Sequence, residues 1–282
     1  MKIKPLLAFL ALVFATLACS IQNIQMKTIE TQVKAIAEPM PSNSDVTELK
    51  FRMTGGRFSL VPGAQGLVNG TISYNVEQWE PEFTRRDNFY QIRQVDPFNF
   101  TGLPSGDVEN NWDLTLSSAI PLNLAIEGGA SENFFDLTGL QLTDLNIVQG
   151  ASETIVRFDT LNPVVMNTFT FTTGASSAEL FGLANANFET MTISAGAGDY
   201  TLDFSGSLSR DATVDIKAGV SNIKIIIPAS MNARINNLGI VTNINTRGTW
   251  LLSDNTYTTE AEGPMLTINL NVSVGNVSLI RE

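Results

Sequence analysis

Short runs of alternating apolar and polar residues recur along the chain, and each run is followed by a glycine. In one of them Leu124 and Ile126 precede Gly129. The five central copies carry their glycines at Gly129, Gly150, Gly174, Gly196 and Gly219, with separations of 21, 24, 22 and 23 residues. Alternation with a period of two indicates half-buried strands. We therefore predict a short strand before each glycine, often a second strand after it, and a turn whose positive φ explains the glycine.

A unit of this length cannot bury its own apolar row, whereas stacked units bury a continuous core. The sequence therefore predicts an all-β fold, a β-solenoid made of stacked coils of about 22 residues. Charged residues make up only 16% of the chain, which agrees with stacking because like charges aligned about 4.8 Å apart repel each other. A β-sandwich is the alternative, since its strands also alternate and turn on glycine.

Two stretches interrupt the period. Residues 76–115 are rich in aromatic residues and arginine, and residues 228–264 are rich in Asn and Thr. One interpretation makes both stretches caps, because a solenoid must cover its open ends. The other makes the first stretch a binding surface, since Trp, Tyr and Arg are enriched where partners dock. The candidate binding residues are Trp79, Tyr90, Arg93 and Trp112.

The N-terminus has the features of an export signal. Two lysines precede an apolar run from Leu6 to Ala18, which is shorter than the roughly 20 residues that span a membrane. The run ends in Leu17, Ala18 and Cys19. This resembles the bacterial lipobox, in which the cysteine thiol receives a diacylglycerol, although Thr16 replaces the usual leucine. An ordinary secretory signal beside an incidental cysteine is the alternative.

We predict from this pattern a lipoprotein signal peptide over residues 1–18, lipidation at Cys19 and a spacer over residues 19–45. Two acyl chains anchor a protein stably. The mature protein is therefore expected on the outer face of a bacterial membrane, tethered to it by the N-terminal lipid.

Composition excludes several kinds of chemistry. The chain has 282 residues, no histidine and one cysteine, so it has no Ser-His-Asp triad, no Cys-His nucleophile and no His- or Cys-rich metal site. The net charge of −11 argues against nucleic acid, because that binding depends on Lys and Arg neutralising phosphates. We predict no catalytic residue, no metal, no cofactor and no nucleic-acid partner.

Acidic residues give two weaker signals. Glu132 and Glu153 occupy equivalent places in successive units, so we expect them to stack close together, as paired acids do in glycosidases. Their neighbours are Ser, Asn and Thr rather than the basic or aromatic residues of such clefts. Asp199, Asp203 and Asp211 faintly resemble the glycine-aspartate repeats that bind Ca²⁺, but the tandem copies are missing, so a solvated strand face is the preferred interpretation.

Several segments resemble the toast-rack family of bacterial envelope proteins. They are residues 47–60, Gly70–Asn75, Trp79–Glu82, Gly182–Phe188 and Gly196–Phe204. The resemblance implies a toast-rack N-terminal domain over residues 46–125 and solenoid repeats over 126–282, related to cell-wall-active-antibiotic response proteins and proposed adhesins. Several coils read Gly-Ala-Ser where the family has Gly-Ala-Gly, so we expect some turns to differ. The resemblance implies no catalytic residue.

Two functions follow from these observations. The preferred one is a non-enzymatic module of the cell envelope, adhesin-like or related to envelope stress, that binds an envelope protein or a wall polymer. The alternative is a carbohydrate-active β-helix enzyme, which would present clustered acids beside Lys or Arg on one outward strand face. The sequence does not determine the oligomeric state.

Overall fold

The computed structural model describes residues 28–42, 45–94, 107–239 and 243–282. In this part of the chain the strands are β1 Thr28–Glu38, β2 Thr47–Pro62, β3 Val68–Val76, β4 Glu82–Arg86, β5 Phe89–Arg93, β6 Asn110–Leu116, β7 Pro121–Asp136, β8 Gln141–Arg157, β9 Met166–Phe181, β10 Phe188–Asp203, β11 Ala212–Ile227, β12 Asn232–Asn237, β13 Asn243–Arg247, β14 Leu251–Ser253, β15 Thr256–Thr258 and β16 Met265–Arg281. Two short 3-10 helices cover Glu77–Trp79 and Leu183–Ala186.

Seven long strands stack in parallel and form the body of the solenoid. Their order is β2, β7, β8, β9, β10, β11 and β16. Parallel pairing of successive coils confirms the predicted solenoid over a sandwich, whose sheets are antiparallel. The prediction of separate short strands before and after each glycine is wrong, because each coil contains one bent strand of 16 or 17 residues.

The bend shifts the inward face by one residue. In β7 the side chains of Leu122, Leu124 and Ile126 are buried before the bend, and Ser131 and Phe135 are buried after it. The residue at the bend is left out of the pairing register in every long strand. The strand therefore has two limbs, and each limb packs its own apolar row into the core.

The predicted reason for the central glycines is wrong. None of the five has the positive φ of a turn. Glycine is needed because neighbouring backbones approach closely: a Cβ at Gly196 would lie 2.5 Å from the carbonyl oxygen of Gly174, and one at Gly219 would lie 2.5 Å from that of Gly196. Positive φ occurs two residues later, at Gly198, and not at the equivalent Ser152 and Ser176, so the expected difference between Gly-Ala-Gly and Gly-Ala-Ser coils is confirmed.

The N-terminal end of the solenoid is covered by shorter strands. The first limb of β2 pairs with β5, and its second limb pairs with β6, which continues through β3 to β1 in antiparallel order. The predicted spacer over residues 19–45 is therefore wrong for residues 28–38, which form β1. Residues Gln32 to Glu38 pair with β3 in consecutive register. The side chain of Ile36 is buried in the core.

The C-terminal end is covered by residues 228–239 and 243–264, which lie between β11 and β16 in the sequence. Strand β16 pairs directly with β11, so that Asp215 lies opposite Asn269. The intervening strands β12 and β13 pair with the two limbs of β16 on its other side. At the other end of the solenoid, β2 pairs with β7 from Thr47 to Leu60, so the sheet has no break at the expected boundary between residues 125 and 126.

Candidate interaction groove

The aromatic residues predicted to bind a partner lie inside the N-terminal end of the solenoid. Trp79, Tyr90 and Trp112 are 7%, 5% and 0% exposed, so the prediction that they form a binding surface is wrong. The ring of Trp112 packs 5.3 Å from that of Phe58 and closes the end of the core, as the capping interpretation expected. Arg93 is exposed and forms an ion pair with Glu82 at 2.6 Å.

A groove of about 880 Å³ crosses five long strands just after their bends. Small residues form its floor: Ala130, Ser131, Ala151, Ser152, Ala175 and Ser176. Residues Val108–Asn111, at the start of β6, close its N-terminal end, and Asp199 lies at the far end. The small floor residues leave room for an extended segment to lie across the strands.

Side chains in one register position, four of them charged, line the groove. Arg57, Glu132, Glu153, Ser177 and Asp199 face each other on consecutive strands, so the predicted stacking of Glu132 and Glu153 is confirmed. Arg57 forms an ion pair with Glu132 at 2.9 Å. Asp199 accepts a hydrogen bond from the amide of Asn222 at 2.8 Å, and Glu153 has no such partner among the described residues. The row therefore carries an excess of negative charge.

Glu109 adds a further carboxylate at the N-terminal end of the groove. It accepts hydrogen bonds from the hydroxyls of Ser73 and Thr31, each at 2.8 Å. The Ser73 bond, followed by the Thr31 bond, holds the pKa of the Glu109 carboxyl below its ordinary value. Glu109 is therefore a charged group fixed in position, because its two partners lie on β3 and β1.

A polar layer lies directly under the floor. Ser131 donates to the side-chain carbonyl of Gln149 at 3.0 Å, and the hydroxyls of Ser176 and Tyr200 lie 3.1 Å apart. Burial raises the pKa of the Tyr200 phenol. These contacts fix the floor side chains without placing a reactive group in the groove.

The described residues hold no group of three or more acidic, histidine or cysteine side chains that could bind a metal ion. The three aspartates of the weak Ca²⁺ signal bind protein groups instead. Asp203 accepts from the backbone N–H of Ser205, and Asp211 accepts from that of Met265. No helix in the described part of the chain is long and apolar enough to cross a membrane. The predicted signal peptide and the predicted lipidation site at Cys19 lie outside the described residues.

Sequence reasoning identified Glu132 and Glu153 but missed Arg57 and Glu109. Arg57 lies 75 residues before its partner Glu132, and only the pairing of β2 with β7 brings the two together. Glu109 reaches the groove because β6 pairs with the second limb of β2. No pattern of nearby residues in the sequence predicts that Arg57 lies beside Glu132 or that Glu109 lies at the groove.

The fold and the groove together define a β-solenoid repeat protein with an acidic, solvent-open surface groove. A family model described as the N-terminal domain of toast_rack, DUF2154, matches residues 22–160 and 160–226. These matches cover more than half of the sequence, so the chain belongs to the toast-rack family. The match crosses residue 125, as the sheet does.

Two solved structures are similar over most of this chain. One is a proposed cell adhesion protein from Clostridium sporogenes, with 16% identity, a TM-score of 0.48 and coverage of 90% of this chain and 99% of that chain. The other is a proposed adhesin from Bacteroides fragilis, with 9% identity, a TM-score of 0.38 and the same coverage of 90% and 99%. No curated protein matches the sequence.

Proposed function

We propose that this protein is a non-enzymatic interaction module of the bacterial cell envelope. Cys19 carries the lipid that tethers it to the outer face of the membrane, and the acidic groove binds a positively charged, extended segment of an envelope protein. The observation that carries this proposal is the groove itself, which combines a floor of small residues with carboxylates at Glu109, Glu132, Glu153 and Asp199. Opposite charge steers such partners together and fixes their register.

The groove supports binding better than catalysis. Glu132 is already paired with Arg57. The two glutamates have small residues on the groove side and the apolar Phe134 and Ile155 on the other side. A glycosidase pair needs one acid whose environment favours the protonated form and one that stays ionised. Glu132 and Glu153 instead lie on the same open strand face, both exposed to solvent.

Charge reversal tests the groove. We expect Glu132→Lys with Glu153→Lys to weaken binding of a lysine-rich peptide at least tenfold, measured by fluorescence anisotropy at low salt, because the change replaces two attractions by two repulsions. The matched control reverses Glu179 and Glu189, which are also exposed but lie outside the groove. Equal loss in both double variants would mean that net charge alone drives binding. Hydrolysis of envelope polysaccharide that disappears in Glu153→Gln would instead support the carbohydrate-active enzyme.

The anchor has its own test. We expect Cys19→Ser to move the protein from the membrane fraction to the soluble fraction, because the substituted residue has no thiol to acylate. Immunoblots of fractionated cells measure the change, with Ser20→Ala as the control for altered processing. Membrane retention of Cys19→Ser would contradict the lipid anchor without affecting the groove.

A further inference from the structure

An exposed aromatic ring lies beside the acidic groove. Phe134 follows Glu132 by two residues on the outward face of β7, and its side chain is 37% exposed. Its register neighbour on β8 is Ile155, which is half-buried and follows Glu153 by two residues. Alternate residues of a strand share one face, so Phe134 and Ile155 form an apolar patch directly next to the two glutamates.

A pocket of about 300 Å³ joins this apolar patch to the groove. Arg57, Glu132 and Glu153 line both the groove and the pocket. Ser59 on β2 and Asp113 on β6 line the pocket on the side away from β8. The pocket therefore combines an apolar wall with carboxylates at its edges.

Two of these carboxylates have no basic partner. Glu132 is paired with Arg57, which is the only basic side chain that lines the pocket within the described part of the chain. Glu153 and Asp113 form no ion pair with any described residue. An occupant that complements the pocket therefore offers an apolar surface to the patch and positive charge to these two carboxylates.

The other exposed phenylalanine in the described part of the chain already has a cation over its ring. Phe83 is 39% exposed, and the Lys34 ammonium lies 5.0 Å from the centre of its ring. The Arg85 guanidinium lies 5.2 Å from the centre of the Tyr90 ring. No described cation lies over the ring of Phe134 in this way. A cation is attracted to the negative face of an aromatic ring, so Phe134 offers this contact to a cation from another molecule.

We propose that the pocket binds an arginine side chain of the partner segment, an inference that rests on the proposed function of the groove. The guanidinium stacks on Phe134 and donates to the Glu153 carboxylate, while the aliphatic stem packs on Ile155. Diagonal neighbours on adjacent strands lie about 7–8 Å apart, within reach of one long side chain. Arginine fits better than lysine because its guanidinium is planar, weakly hydrated and able to bind a carboxylate through two N–H groups.

Two peptides of equal length and charge test this preference, one with arginine and the other with lysine at every basic position. We expect the intact protein to bind the arginine peptide about fivefold more tightly, measured by fluorescence anisotropy at low salt, because stacking adds to the charge attraction that both peptides share. Phe134→Leu keeps an apolar side chain without a ring, and it should bring the two affinities within about twofold of each other. The matched control is Phe83→Leu, which should keep the preference because Phe83 lines neither the groove nor the pocket.

The outcomes separate this inference from the proposed function. Equal wild-type affinities for the two peptides, both lost in Glu132→Lys with Glu153→Lys, would overturn the arginine site and leave the acidic groove supported. A preference for arginine that survives Phe134→Leu would also overturn the site, because the preference would then come from another part of the surface. Absence of binding by both peptides would contradict the proposed function and the arginine site with it.

Discussion

Replacing Trp112 with alanine is expected to lower the free energy of unfolding by about 3–5 kcal/mol, the usual cost of removing a large buried aromatic side chain. Trp112 is fully buried and contacts the rings of both Phe51 and Phe58. Its indole N–H donates to Asn110 at 3.3 Å. Chemical denaturation followed by circular dichroism measures the change.

The control for this prediction is Phe134→Ala. Phe134 is 37% exposed and faces outward, next to the fully buried Phe135, so its removal should change the free energy of unfolding by less than about 1 kcal/mol. If Trp112→Ala were as stable as Phe134→Ala and lost only partner binding, the alternative interpretation of the aromatics as a binding surface would be supported.

Replacing Gly196 with alanine is expected to lower the free energy of unfolding by about 2–3 kcal/mol, because inserting a methyl group into a close-packed site forces the backbone to shift. The added Cβ would lie 2.5 Å from the carbonyl oxygen of Gly174. Both partners are backbone atoms of stacked coils, so no side chain can rotate away to make room. Thermal and chemical denaturation both measure this loss.

The neighbouring residue supplies the control. Ala197 is exposed and already carries a Cβ, so Ala197→Ser should change stability by no more than about 0.5 kcal/mol. A Gly196→Ala variant as stable as the wild type would show that the glycine column is not required for the spacing of the coils.

The solenoid could be predicted from the sequence because one physical signal repeats in every coil. Alternating apolar residues such as Leu145 and Ile147 give the strands, and the spacing of the glycines gives the coils. The reason for the glycines could not be predicted. The close approach of the backbones at Gly174 and Gly196 depends on how two coils stack. The local sequence contains no information about that stacking, and a glycine after a strand suggests only a turn with positive φ.

Strand pairings between residues far apart in the sequence could not be predicted either. Strand β1 has many polar residues and is largely exposed. It forms a strand because its backbone pairs with the edge of β3. The groove depends on the same kind of information, since Glu109 and Arg57 enter it only through the pairing of β6 and β7 with β2. Glu132 and Glu153 could be predicted as neighbours because they occupy equivalent places in consecutive coils.

The most direct test of the proposed function is site-specific photocrosslinking of the intact protein in its native envelope. A photoreactive residue is placed at position 177, which lines the groove, or at position 179, which lies on the same outward face of β9 outside it. The groove proposal predicts that position 177 crosslinks to a Lys- or Arg-rich segment of an envelope protein, that position 179 does not, and that Glu132→Lys with Glu153→Lys abolishes the crosslink. Equal crosslinking from both positions, or a position-177 crosslink that survives the charge reversal, would contradict the proposal.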